Sequence, residues 1–268
     1  MLQHLKAVWT FRYFWMSLVK MDLRARYRRS FLGIGWSLLH PIAMSAVFCA
    51  VFSHLVKSPD VMQGYPEYWR GYSAYLLAGM AVWEFIRNST AIGCQALIHN
   101  EAYIRQCPLP YGIYPLRTVM GTGIHFLLSI FVTVCLISIL KESFDPFAML
   151  WAVIPMFVLL FLFCWSLATI AAFATVYFHD TSHLVEVGSQ LFFFLTPIMY
   201  FRSLLGADGW IADINPVVIF LETIRNPLVT GETAAAGTYY TAIGMTAVFV
   251  GLAFGTIGWL QKKVIFQL

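Results

Sequence analysis

Six stretches of this chain are close to or above 20 residues with few charges, near 34–56, 72–96, 116–140, 147–178, 183–201 and 238–260. A bilayer with a hydrocarbon core of about 30 Å needs roughly 20 apolar residues per crossing helix. Backbone amides inside lipid must be satisfied internally, so segments of this kind fold as helices. The region 21–41 shows no period-two alternation, which argues against strands there. Charged residues make up only 11% of the 268 residues and hydrophobic ones 60%. A soluble domain carries roughly 25% charged residues. The chain is therefore predicted to be an all-α integral membrane protein, one membrane domain over 1–268. The aromatic share of 17% predicts aromatic belts or an aromatic-lined path in addition to core packing.

Before the first apolar stretch, four arginines (Arg24, Arg26, Arg28 and Arg29) crowd into six residues. A charge at the bilayer centre costs about 2.5–3.5 kcal/mol on insertion scales, so this cluster lies outside the hydrocarbon. At about 100° per residue, Lys6, Tyr13, Ser17, Lys20, Arg24 and Arg28 share one helix face. Leu5, Val8, Phe11, Trp15, Val19 and Leu23 share the opposite one, interrupted by Arg12, Asp22 and Arg26. Residues 1–31 are thus predicted to be an amphipathic helix lying in the membrane interface. Seven basic residues from Lys6 to Arg29, with Arg105, Arg117, Lys262 and Lys263, fall on one side of a six-span topology. The other side holds Lys57, Arg70, Lys141, Arg202 and Arg225 among eight acids. The positive-inside rule then puts both termini in the cytoplasm. The start has no signal-peptide order, and the five cysteines form no metal spacing and are read as buried thiols.

Spans one to five occupy 34–201 and span six 238–260; residues 202–237 between them are neither loop nor span. Their apolar pieces, near 210–214 and 217–229, are too short to cross and are interrupted by Asn215-Pro216 and Asn226-Pro227. Half-length pieces suit a re-entrant hairpin entering from the outer side, with protein or water around its irregular backbone.

No Gly-Lys dipeptide occurs, so the phosphate-binding loop G-x-x-x-x-G-K-[ST] is absent. H-E-x-x-H, G-x-S-x-G and Cys-x-x-Cys are absent too, and no catalytic residue or metal site is predicted. Between the second and third spans, Asn100 and Glu101 start a short helix through Tyr103, Ile104 and Arg105 that Pro108 ends. This is either an ordinary polar connection or a helix that docks into a partner. Inside the second span, Glu84 and Arg87 stand at i, i+3 and are predicted to pair, facing the bundle interior. The aromatics Trp36, Phe48, Phe193, Phe194 and Tyr200 either pack against lipid or line a path that a sugar polymer slides along by sequence-tolerant stacking.

Four pieces carry a family likeness in their order: DLRARYRRSFLGIGWSLLHP, HNEAYIRQCPLP, FHDTSHLVEVGSQLFFFLTPIMY and INPVVIFLETIRNP. Together they resemble the permease subunit of type-2 ABC exporters of lipid-linked polysaccharide, the group serving O-antigen, capsule and teichoic acid. The resemblance implies an inner-membrane homodimer with a channel along its seam and two copies of a separate ATPase subunit, which carries the ATP and magnesium. It implies that Asn100 to Pro108 form the coupling helix, that the basic helix lies beside a lateral gate, and that Trp210 to Pro227 form the outer re-entrant pair. The substrate would be a polyprenyl-pyrophosphate glycan; Arg24, Arg26, Arg28 and Arg29 would either meet its pyrophosphate or only set topology and hold lipid headgroups. Such permeases commonly have Arg-Asp after span four, whereas this chain has His179-Asp180. Another lipid or a hydrophobic small molecule remains open as cargo, and so does a membrane enzyme acting on polyprenyl-linked sugars. No nucleic-acid partner is implied.

Overall fold

A computed structural model describes residues 10–28, 30, 33–52, 68–106, 109–141, 146–202, 205, 210–265 and 267. The expectations placed on Leu5, Lys6, Val8, Arg29 and Pro108, and on the side chain of Arg26, lie outside the described residues. Most of those described are helical, with no strand among them. In order they form α1 (Arg12–Tyr27), α2 (Trp36–Phe52), α3 (Tyr68–Cys94), α4 (Glu101–Gln106) and α5 (Ile113–Leu140). Then come α6 (Pro146–Tyr177), α7 (Thr181–Leu195), α8 (Trp210–Ile214), α9 (Pro216–Val229) and α10 (Ala236–Val264).

Among the helices of more than 20 residues, the one with the most charges sits in the middle. α3 carries Arg70, Glu84 and Arg87, and it packs against α2, α5, α6, α7 and α9. Charged side chains within a bilayer are tolerated where protein surrounds them, so the least apolar long helix takes the central place. Around it, Ile113–Leu140, Trp151–Tyr177 and Ala236–Val264 are each long and apolar enough to cross a membrane. Lipid tails are as apolar as leucine, so close packing rather than the hydrophobic effect holds such helices together. Phe85, Phe126 and Phe157 of α3, α5 and α6 stack with ring centroids 5.0–6.2 Å apart. Gly93 lets α3 approach α6, because a Cβ there would stand 2.7 Å from the Cβ of Ala168.

A second apolar cluster closes the end that carries the basic residues. It joins Trp15 and Val19 of α1 to Leu97, Ile104, Ile113, Tyr114, Phe173, Ile257 and Val264. α1 docks through Trp15, Leu18 and Val19, while Lys20, Arg24 and Arg28 stay exposed as the periodicity predicts. Phe11 departs from the prediction: it precedes the helix as its N-cap and is exposed, and Leu18 takes its share of the buried stripe.

The fifth apolar stretch is predicted to run to residue 201, but α7 ends at Leu195. Pro197 disfavours helical backbone at the residue before it, and Thr196 is extended at φ −96°, ψ 132°. Downstream, Asn215 separates α8 from α9 as the Asn-Pro reading requires. Its Oδ1 accepts from Val217 N–H at 2.9 Å and its Nδ2 donates to Thr196 Oγ1 at 2.8 Å. The second Asn-Pro does not interrupt, since α9 runs through Pro227 to Val229. The Lys141 ammonium closes that end, donating to the carbonyls of Val229 at 3.1 Å and Thr230 at 3.2 Å. Cys49, Cys94 and Cys164 are buried as predicted; Cys135 is exposed on the outward face of α5.

Candidate functional site

The buried stripe of α1 runs through Trp15, Leu18 and Val19, and helical spacing puts Asp22 next on it. A carboxylate there needs a partner, and Arg117 at the start of α5 supplies one. Nε and Nη2 of Arg117 grip the two carboxylate oxygens of Asp22 in a planar fork. The third side of the guanidinium is also used: Nη1 donates to Asn100 Oδ1 at 2.7 Å. Asn100, buried in a single 3-10 turn before α4, donates its own Nδ2 to the Ala96 carbonyl at 2.8 Å. One arginine thus links α1, the turn that leads into α4, and α5. The Arg117 side chain is 11% exposed and that of Asp22 50%.

A second contact runs in parallel. Phe14 of α1 meets Tyr103 of α4 edge to face, with ring centroids 6.2 Å apart at 74°. Of the residues predicted to form a docking helix, Asn100 and Ile104 are buried and Tyr103 is half-buried. Glu101 and Arg105 pair along the surface at 2.7 Å, and Ala102, Arg105 and Gln106 present the outward face.

Beside this junction, a cavity of about 250 Å³ lies between α2, α3 and α5, lined by Trp36, His40, Glu84, Asn88, His125 and Ser129 among others. A second of about 250 Å³, reaching Asp22, Asn100 and Arg117, shares Thr122 and His125 with it. The carboxylate of Glu84 faces the first cavity and meets Nε2 of His40 at 3.4 Å, across to α2. The close partner of Glu84 is therefore His40 across on α2, and not Arg87 on its own helix as predicted.

The far end holds the other arginine of note. Arg225, expected among the outer loop charges, is 4% exposed. Its Nη1 donates to the Pro197 carbonyl at 2.8 Å, and its guanidinium carbon lies 3.8 Å from the centre of the Tyr75 ring. Tyr75 donates to the Tyr200 carbonyl at 3.0 Å and Tyr72 to that of Met199 at 2.6 Å. These side chains satisfy the non-helical backbone after α7, as burial requires. Nearby, Arg202 and Glu222 pair at 3.3 Å.

Of the five predicted path aromatics, four come together. Phe193 lies 6.5 Å from Phe48 and 5.4 Å from Phe194, and the Tyr200 hydroxyl donates to the Phe194 carbonyl at 3.0 Å. Trp36 stands apart at the cavity, twelve residues before Phe48 and so about 18 Å away along α2. Arg24 and Arg28 are exposed. Among the described residues, no group of three or more His, Cys, Asp or Glu is arranged to hold a metal ion.

Crossing helices around a charged central helix, with a basic helix docked at one end, define a polytopic membrane protein. The chain belongs to the ABC-2 type transporter family, whose model matches residues 13–229. It is therefore a membrane component of a transporter. It is similar to an O-antigen export system permease protein RfbA of Klebsiella pneumoniae, 24% identical over 235 residues that cover 86% of this chain and 87% of the relative. A second protein of that name from the same organism is 24% identical over 215 residues, covering 80% of this chain and 79% of its own length. The RfbA permease of Myxococcus xanthus is 27% identical over 231 residues, 84% of each chain.

Proposed function

We propose that this chain is the membrane-spanning subunit of an ATP-driven exporter that moves a polyprenyl-pyrophosphate-linked polysaccharide, O-antigen-like, from the cytoplasmic face across the inner membrane. The observation that carries this reading is the similarity to three O-antigen export permeases over about four-fifths or more of both chains. In this reading α2, α3, α5, α6, α7 and α10 are the six spans, α8 and α9 the outer re-entrant pair, and both termini are cytoplasmic. Two copies assemble along a seam. The apolar face of α7 supports that arrangement: Leu184, Val187, Leu191, Phe192 and Phe194 are exposed, and none of its 15 residues is buried.

ATP and its magnesium ion belong to two copies of a separate ATPase subunit, in keeping with the missing phosphate loop. Closure of that dimer pushes on α4, whose outward face offers Ala102, Arg105 and Gln106. Movement of α4 shifts α1 and opens the seam to substrate. Arg24, exposed on α1, and Arg28, exposed at its C-cap, meet the pyrophosphate with Arg26 and Arg29 beside them in sequence; the arginine fork suits its oxygens. The cluster of Phe48, Phe193, Phe194 and Tyr200 gives the glycan apolar faces to slide past.

The reading is tested by co-purification in mild detergent from cells that express this chain with its neighbouring genes. An ATPase subunit with a phosphate loop is expected in the complex, and it should be lost when Arg105 and Gln106 are both replaced by Asp. Recovery of the chain without any ATPase would contradict the exporter reading. Normal export by an Arg28→Gln, Arg29→Gln protein would remove the pyrophosphate role alone.

A further inference from the structure

We infer that Asp22, Arg117 and Asn100 form the joint through which movement of the ATPase-facing helix α4 is passed to the basic helix α1. The inference rests on the exporter reading and adds the residues that transmit the stroke. Its basis is the arrangement of the three elements. Arg117 stands on a fixed mount, because the α5 start is tied to α6 where Trp165 Nε1 donates to the Gly112 carbonyl at 3.1 Å. From that mount its fork holds Asp22 of α1, and its remaining nitrogen holds Asn100, the last residue before α4. Asn100 is in turn bonded to the Ala96 carbonyl at 2.8 Å, so displacement of α4 and its preceding turn is felt at the guanidinium. Phe14 against Tyr103 gives α1 and α4 a second, direct contact.

The chemistry suits a joint better than an anchor. An apolar residue at position 22 would extend the buried stripe of Trp15, Leu18 and Val19 and hold α1 more firmly. A carboxylate there gives up that packing for a directional contact. With Asp22 half exposed, its carboxylate can leave the fork for water, while the largely buried Arg117 keeps its bond to Asn100. The bidentate fork, on the other hand, fixes the angle between the two helices whenever it is closed. These are positioning residues: they touch neither ATP nor glycan.

The experiment uses the complete exporter, this chain with its ATPase, in cells and in lipid nanodiscs. Asp22→Asn, Arg117→Gln and the charge-reversed pair Asp22→Arg with Arg117→Asp are compared with the parent. In the reversed pair the ion pair between α1 and α5 can reform, whereas the bond to Asn100 is lost. Each single variant is expected to hold the ATPase and hydrolyse ATP within about twofold of the parent, while export falls about tenfold or more. The reversed pair is expected to recover export in part, to at least about threefold above either single variant. Uncoupling of hydrolysis from export is the signature that a loss of folding alone does not produce. Single variants that export like the parent would overturn the joint, and so would a parallel fall of hydrolysis and export that the reversed pair does not relieve. A parent chain that holds no ATPase overturns the exporter reading and the joint together.

Discussion

Arg117 and Arg225 sit toward opposite ends of the bundle and show two uses of one side chain. Arg225 is almost fully buried, bonded to a backbone carbonyl and laid over the Tyr75 ring. Its acceptor, the Pro197 carbonyl, belongs to the non-helical turn after α7, so the knot is a staple. Arg117 instead binds a carboxylate and an amide carried on neighbouring elements, and Asp22 is half open to solvent. On the proposed joint, the difference teaches where rigidity and motion belong: the far end pins irregular backbone in place, and the basic end lets two helices move against a third.

Breaking the staple is expected to have the largest effect. Arg225→Ala leaves the buried Pro197 carbonyl without this donor and a void beside Tyr75, a loss of about 2–4 kcal/mol. It should appear as poor accumulation in membranes and an early melting transition in detergent. Arg225→Lys keeps the charge but not the planar stack, and should fall between Ala and the parent. Next comes Gly93→Ala, whose methyl meets Ala168 at 2.7 Å. Parting α3 from α6 costs about 1–3 kcal/mol, read from the same melting curve. Lys141→Met removes two donated bonds from the end of α9 and should cost about 1 kcal/mol. Asp22→Asn keeps an amide oxygen for the Arg117 fork and should cost least in stability, under about 1 kcal/mol, despite its predicted tenfold effect on export. If Asp22→Asn melted as early as Arg225→Ala, the two arginines would be alike and the contrast would fail.

Much of this was legible in order along the chain. The α1 stripe through Trp15 and Val19, the short helix after Asn100 and the break at Asn215-Pro216 all follow from periodicity and capping chemistry, which are local. What was not legible depends on distant partners. Asp22 and Arg117 are 95 residues apart, and the two hints were separate: an acid on an apolar stripe and an arginine near the start of an apolar span. Charge counting sorted Arg225 by loop and could not see that Tyr75 and Pro197 enclose it. The end of α7 at Leu195 was within reach, since Pro197 restricts Thr196, but hydropathy continues unbroken to Phe201 and masks it. Glu84 turns to His40 rather than to Arg87 because α2 lies across the cavity it faces.

The most direct test of the central claim is ATP hydrolysis and glycan movement by this chain and its ATPase in sealed proteoliposomes. Added polyprenyl-pyrophosphate glycan is expected to raise hydrolysis and to become protected inside the vesicles in an ATP-dependent manner. Hydrolysis indifferent to that substrate, with no ATP-dependent protection of the glycan, would contradict the assignment.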